Sequence, residues 1–337
     1  MRCCLHISFT KLLLLAVCCI IATAVSASMP NDSIALPNIS GIQQISFPDL
    51  QLPKGGKDSS SFILPFSRAG NLLLIRAKAD SVEGNFILDT GCPGLVLNIT
   101  YFRSYPVTTE AGSESLGMTG SSAATEQISI RDFNFGTIKE YNVKANLANL
   151  GAIENTRGVK VLGLVGMQFL NSCEVIIDYE ANLMYFHVVG RKEVKTYNHV
   201  MLNDTAAYHT MPFEITDNRI IVKTIMAGKK LRFLIDCAAE TNILDSRLPD
   251  RIFATLAITG KVSLVGVGNK KVEAVTGTLE TFSIGERTIK DMRVLVTNLE
   301  KTCLSYGGCV DGVLGLNDLS ITKIGFNFTT FKMYIWK

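Results

Sequence analysis

A chain of 337 residues, 47 % hydrophobic and 19 % charged, is long enough for two domains with their own cores and excludes a disordered polymer. Its formal charge of +3 comes with no basic run and no basic-aromatic stripe, which excludes recognition of nucleic acid.

Arg2 and Lys11 flank a short start, Leu12 to Val25 is an almost unbroken apolar run, and Val25-Ser26-Ala27 offers a small-residue cleavage site. This three-part layout predicts a secretory signal peptide over residues 1–27, too short for a comfortable membrane span. A secreted or periplasmic protein with no stable membrane span after cleavage is expected. The leader takes two of the 33 basic residues with it, leaving 31 against 30 acidic ones, so the mature chain is nearly neutral. Four of the nine cysteines also leave with it. Of the remaining Cys92, Cys173, Cys237, Cys303 and Cys309, the last two flank a Gly-rich loop and suit a local disulfide. No CxxC pair or His-x-x-x-His spacing occurs, so neither a metal site nor a cofactor is expected.

Residues 28–60 are rich in Ser, Pro, Gly, Asp and Asn and read as an N-terminal arm. Beyond them Ile75-Arg76-Ala77-Lys78-Ala79-Asp80 alternates as a half-buried strand does. Val175–Tyr179 and Leu183–Phe186, separated by Glu180-Ala181-Asn182, read as a hairpin, and Ile324–Phe328 with Lys332–Ile335 reads as another. Helical signals are few: one turn after Gly166 and one after Gly315.

The chain repeats itself. Phe86-Ile87-Leu88-Asp89-Thr90-Gly91 lies over Phe233-Leu234-Ile235-Asp236-Cys237-Ala238, with aliphatic pairs Val96-Leu97 and Ile243-Leu244 after each aspartate. Val161-Leu162-Gly163-Leu164-Val165-Gly166 lies over Val310-Asp311-Gly312-Val313-Leu314-Gly315, and Met184-Tyr185 over Met333-Tyr334. Aspartate and block glycine are 74 residues apart in one copy and 76 in the other. Short strands in two similar halves predict an all-β chain of two pseudo-symmetric, β-barrel-like lobes made by duplication. The expected organisation is a first lobe over 61–190, a linker over 191–210 and a second lobe over 211–337.

One aspartate per copy suits a specific chemistry. Two carboxyls face to face across a pseudo-two-fold axis cannot both ionise, so the pair keeps one proton over a wide acidic range. The ionised partner can take a proton from water while the protonated one polarises an amide carbonyl. A Thr hydroxyl after the aspartate can tie one loop to the other, and the following Gly lets backbone N–H groups approach the carboxylate. Cys237 and Ala238 depart from this pattern: a thiol is a weak donor, and the methyl of Ala238 is expected to push its loop away from Asp236. Cys237 itself reads as a buried structural cysteine, since no pattern ties His187, His199 or His209 to it. A disulfide from Cys92 to Cys237 would instead link the two loops. Asp178 and Asp311, without matching acids in the other copy, read as turn or surface residues.

Asp89-Thr90-Gly91 on an apolar strand, followed by Leu164-Val165-Gly166, resembles the pepsin/retropepsin superfamily of aspartic proteases, especially its secreted bacterial members. The likeness covers about residues 61–337 and occurs twice. It implies the acid-protease fold, an aspartic endopeptidase acting on polypeptides, and Asp89 and Asp236 as the catalytic dyad. Thr90, Gly91, Cys237 and Ala238 would support the two active loops. It further implies a hairpin flap, for which Gly117 to Gly120 and Gly266 to Gly268 are the candidates by position; neither segment carries a tyrosine. With both lobes in one chain a monomer is expected. Two alternatives stay open: a catalytically silent peptide- or polysaccharide-binding relative, and proteolysis through paired first lobes of two chains.

Overall fold

The computed structural model describes residues 60–108, 114–116, 122–124, 126–265, 271–300, 309–316 and 321–337. The signal peptide and nearly all of the N-terminal arm lie outside the described residues.

The first copy builds β1 (Ser61–Ala69), β2 (Leu72–Ala79), β3 (Val82–Leu88), β4 (Leu95–Asn98), α1 (Ile99–Phe102), β5 (Glu114–Leu116), β6 (Ser122–Ala124), β7 (Gln127–Phe135), β8 (Ile138–Ala148), α2 (Gly151–Arg157), β9 (Gly163–Val165), β10 (Cys173–Asp178) and β11 (Leu183–Val188). The second builds β12 (Tyr208–Pro212), β13 (Glu214–Thr216), β14 (Arg219–Met226), β15 (Lys229–Asp236), β16 (Asn242–Asp245), α3 (Asp250–Phe253), β17 (Leu256–Val265), β18 (Lys271–Ile284), β19 (Arg287–Thr297), β20 (Gly312–Gly315), β21 (Lys323–Asn327) and β22 (Lys332–Trp336). The fold is all-β, and the same sequence of strands is laid down twice. The turn after Gly166 is a single 3-10 turn, Met167–Phe169, whereas the segment after Leu316 lies outside the described residues. β12 starts inside the stretch read as linker.

In the first lobe β2, β3, β9, β4, β8 and β7 follow one another, and β7 returns to β2 through Lys78↔Asn134 and Ala79↔Phe133. That closes a six-stranded barrel and removes its edges. The second lobe repeats the order as β14-β15-β20-β16-β19-β18-β17.

The apolar-Gly block has a structural reason. β9 slides between β3, to which it runs parallel, and β4, to which it runs antiparallel; β20 does the same between β15 and β16. A strand buried on both faces must be apolar throughout, and Gly163, Leu164 and Val165 are all buried. Gly163 and Gly312 sit where a neighbouring carbonyl leaves no room for a side chain. A Cβ there would lie 2.2 Å from the Val96 oxygen or 2.3 Å from the Ile243 oxygen, with the Phe86 or Phe233 ring close on the other side. Gly163→Ala or Gly312→Ala is therefore expected to lower unfolding free energy by about 3 kcal/mol or more, read by urea denaturation. A loss under half a kcal/mol would mean the strand insertion is looser than this.

Six further strands, in the order β12-β22-β21-β10-β11-β1, form a sheet shared by both copies. Its centre is the antiparallel pair β10–β21, in which Glu174 faces Asn327, Ile176 faces Gly325 and Asp178 faces Lys323. Adding 149 to each first-lobe number exchanges the outer two pairs, so the pseudo-two-fold axis passes through Ile176 and Gly325. Both predicted hairpins are here, as β10–β11 and β21–β22. Asp178 accepts the Glu180 and Ala181 amides, and its counterpart Asn327 accepts those of Thr329 and Thr330. Asp178 is thus a turn residue as expected, but buried and paired with Lys323 at 3.3 Å rather than on the surface. Asp311 instead braces a distant strand: its carboxylate accepts the amide of Arg232 in β15, 79 residues away, at 2.7 Å.

Candidate active site

Asp89 follows β3 and Asp236 ends β15, so each carboxyl stands at the end of an apolar strand gripped by the inserted β9 or β20. The two loops meet at the lobe boundary and are held alike. Oδ1 of Asp89 accepts the amides of Gly91 at 2.8 Å and Cys92 at 3.1 Å. Oδ1 of Asp236 accepts those of Ala238 at 2.8 Å and Ala239 at 3.1 Å. The expectation that Ala238 displaces its loop is corrected by these equal distances: the methyl of Ala238 is taken up in the first-lobe cluster of Leu74, Ile87, Cys92, Val96 and Leu164.

The loops are also tied across the boundary. The Thr90 hydroxyl donates to the Ile235 carbonyl at 3.0 Å and accepts the Cys237 amide at 2.9 Å. The Cys237 thiol does the same in return, donating to the Leu88 carbonyl at 3.2 Å and accepting the Thr90 amide at 3.4 Å. Sulfur therefore fills the place of the expected hydroxyl with the same partners, at longer reach. Because a thiol bonds more weakly, Cys237→Thr is expected to raise unfolding free energy by about 1 kcal/mol. A melt of the variant beside wild type reads this, and a lower melting temperature would show that the loop is shaped for sulfur.

Cys92, Cys173 and Cys237 are free and buried, which removes the Cys92–Cys237 disulfide. Burial, followed by the nearby carboxyls, pushes both active-loop thiols far up, so neither is a ready nucleophile. Cys309 is disulfide-bonded; Cys303 lies outside the described residues. The flap candidates Gly117, Gly120, Gly266 and Gly268 also lie outside them. Their flanking strands are described, and β5 pairs antiparallel with β6 as β17 does with β18.

The electrostatics follow from the geometry. Both aspartates are completely buried, and neither Oδ2 receives a hydrogen bond from a donor group of the chain. Burial raises Asp89 well above the usual carboxylate range, and the facing Asp236 charge and side-chain hydrogen bond raise it further against the Gly91 and Cys92 amides. Burial lifts Asp236 to about 6, held down by the Ala238 amide, the bond from Asp89, the Ala239 amide and the Arg219 guanidinium. The pair takes up its protons jointly, and one proton between the two carboxyls meets the need of both Oδ2 atoms.

Several contacts at this boundary escaped the sequence reading. Asn71 donates to the Glu240 carbonyl at 3.5 Å, and Asn218 to the Pro93 carbonyl at 3.4 Å. The offset of 147 that carries Asp89 onto Asp236 also carries Asn71 onto Asn218 and Pro93 onto Glu240, so these bonds are symmetry mates. Extending the alignment upstream by fifteen residues would have found the asparagines. Arg157 at the end of α2 pairs with Glu240 across the boundary, and Arg219 enters from β14. Neither has a like residue in the other copy, so the repeat gives no signal for them.

A family model described as aspartyl protease matches residues 75–169 and again residues 222–317, together more than half of the chain. The chain belongs to the aspartyl protease family. It carries the retropepsin-like domain of that family twice, each copy holding one active-loop aspartate. A comparison with curated proteins finds no match. Similar solved structures include the basic 7S globulin from soybean, 10 % identical over 82 % of this chain and 95 % of that one, with a TM-score of 0.41. Conglutin gamma from lupine seeds is also 10 % identical, over 82 % and 95 %, with a TM-score of 0.43. A retropepsin-like aspartic protease from Rickettsia conorii is 16 % identical over 37 % of this chain and 89 % of that one, with a TM-score of 0.27. Among the described residues no group of three or more His, Cys, Asp or Glu gathers to hold a metal, and no helix is long and apolar enough to cross a membrane.

Proposed function

We propose that this aspartyl protease family member is an active aspartic endopeptidase, hydrolysing peptide bonds with water activated between Asp89 and Asp236. The observation that supports this most is the paired environment of the two carboxyls: each is anchored through Oδ1 by two amides, each leaves Oδ2 with no donor but the facing carboxyl, and both loops are tied together by Thr90 and Cys237.

In the singly protonated pair the ionised carboxyl takes a proton from the attacking water while the other donates its proton to the scissile carbonyl oxygen. Water oxygen bonds to the carbonyl carbon, giving a tetrahedral gem-diol. Transfer of a proton to the amide nitrogen then breaks the C–N bond and releases acid and amine. The fixed amides on Oδ1 keep the two Oδ2 atoms aimed at one place through both steps. The proposed setting is outside the cytoplasm, reached through the 1–27 leader, with the protein acting as a monomer on polypeptides.

The test is incubation of the purified protein with a mixed peptide library across pH 3 to 8, read by mass spectrometry, with Asp89→Asn alongside. Cuts that vanish in the variant and under a statine-type transition-state mimic support the proposal. Folded protein that cuts nothing at any pH points to a peptide- or polysaccharide-binding module.

A further inference from the structure

The two active loops share a pseudo-two-fold axis, but the lobes do not place equivalent groups around them. Arg219 opens β14 and is 1 % exposed, one of the largest fully buried side chains among the described residues. Its Nε donates to the carbonyl of Gly91 at 3.0 Å, and its Nη1 to the Asp217 carbonyl at 3.3 Å. The offset of 147 that superposes the aspartates puts Leu72 at the matching position of the first lobe, where it lies in an apolar cluster. One side of the pair thus has a cation and the other a hydrocarbon.

Gly91, whose amide binds Asp89 Oδ1 at 2.8 Å, also links Arg219 to the facing carboxyl. A Cβ on Gly91 would lie 2.5 Å from Asp236 Oδ2, so the glycine that Arg219 holds is packed directly on the Asp236 carboxyl. A guanidinium keeps its charge at any working pH, and away from water its field is weakly screened. The direction agrees: Arg219 favours the ionised form of Asp236, and of Cys92, against burial.

We propose that Arg219 is a positioning residue that makes the dyad unequal, directing the negative charge to Asp236 and leaving the proton on Asp89. For catalysis this rests on the proteolytic reading: Asp236 is then the base that takes the water proton, and Asp89 the acid that polarises the carbonyl. Other titratable groups at this boundary are Cys92 and Cys237 on the loops, Tyr179 beside Cys237 from the shared sheet, and the Arg157–Glu240 pair. None of them supplies a second buried cation at the loops.

Carboxyl 13C titration of the protein separates this inference from proteolysis, because it needs no turnover. Signals are assigned with Asp89→Asn and Asp236→Asn. In Asp89→Asn the remaining Asp236 is expected to titrate at lower pH than Asp89 does in Asp236→Asn. In Arg219→Leu, which copies Leu72, the Asp236 midpoint moves up by about one pH unit, and Arg219→Lys recovers part of that. If wild type cuts peptides, the acid limb of kcat/KM in Arg219→Leu lies correspondingly higher than in wild type. Equal midpoints in the two asparagine variants overturn the inference even if Arg219→Leu fails to fold. So does an unmoved Asp236 midpoint in folded Arg219→Leu, whether or not the wild type cuts.

Discussion

Asp89→Asn and Asp236→Asn are each expected to lower peptide cleavage by at least about 10³-fold while raising the melting temperature at neutral pH. Loss of activity follows because an amide can neither take the proton of water nor give one to the carbonyl. The gain in stability has the same origin as the chemistry. Both folded carboxyls titrate above the ordinary aspartate value near 4. From there upward the folded state holds protons that the unfolded chain has released, so native stability falls as pH climbs through the folded values. For Asp236, lifted to about 6, that fall is largely complete by pH 7. Asparagine does not titrate, so the variants keep at pH 7 to 8 what wild type loses. Melts at pH 4 and pH 7.5 check this: the curves should lie close together in acid and separate in neutral buffer, with the variants higher. Variants that melt below wild type at pH 7.5 would show that the pair is stabilised when ionised.

If the chain cleaves peptides as proposed, the raised Asp236 carboxyl puts the acid limb of cleavage around pH 6, with activity rising above it. A pH profile of kcat/KM reads this directly. Activity already maximal at pH 3 would mean that the carboxyls are better solvated in the working enzyme than in this structure.

How much of this was legible in the sequence depended on whether a feature is written twice. The aspartate strand and the apolar-Gly block recur because each lobe needs a buried strand inserted between two others, and that demand leaves few residue types at each position. The fold and both aspartates followed from them. The consequences of Cys237 and Ala238 did not. Donor strength and volume predicted a loosened, displaced second loop, whereas in the structure the thiol reaches the Leu88 carbonyl and the Ala238 methyl sits among first-lobe side chains. Such accommodation depends on what the other lobe offers, and spacing along one copy does not record it. Arg219 was invisible for a related reason: an arginine opening a strand looks like any surface cation until the fold closes over it.

Gly91→Ala is expected to be the most damaging of the small substitutions in the active loops. The new Cβ would stand 2.5 Å from Oδ2 and 2.6 Å from Cγ of Asp236, closer than any real contact, and the obstacle is the carboxyl itself. Asp236 cannot retreat freely, because its Oδ1 is fixed by the Ala238 and Ala239 amides. Nor can the Gly91 backbone, whose amide is bound to Asp89 and whose carbonyl is bound to Arg219. Relief has to come from breaking one of these bonds, a loss of about 2 kcal/mol or more for a buried charge-assisted contact. Cleavage should fall by at least about 10²-fold, since displacing one carboxyl by a few tenths of an ångström misaims the water. The reverse change in the other loop, Ala238→Gly, removes a methyl from an apolar cluster and should cost about 1 kcal/mol, with cleavage nearly unchanged. Melting curves and cleavage rates of the two variants, run side by side, test the asymmetry. Equal damage from both would mean that the second loop is as tightly closed as the first, and that Ala238 owes its place to something other than room beside the first lobe.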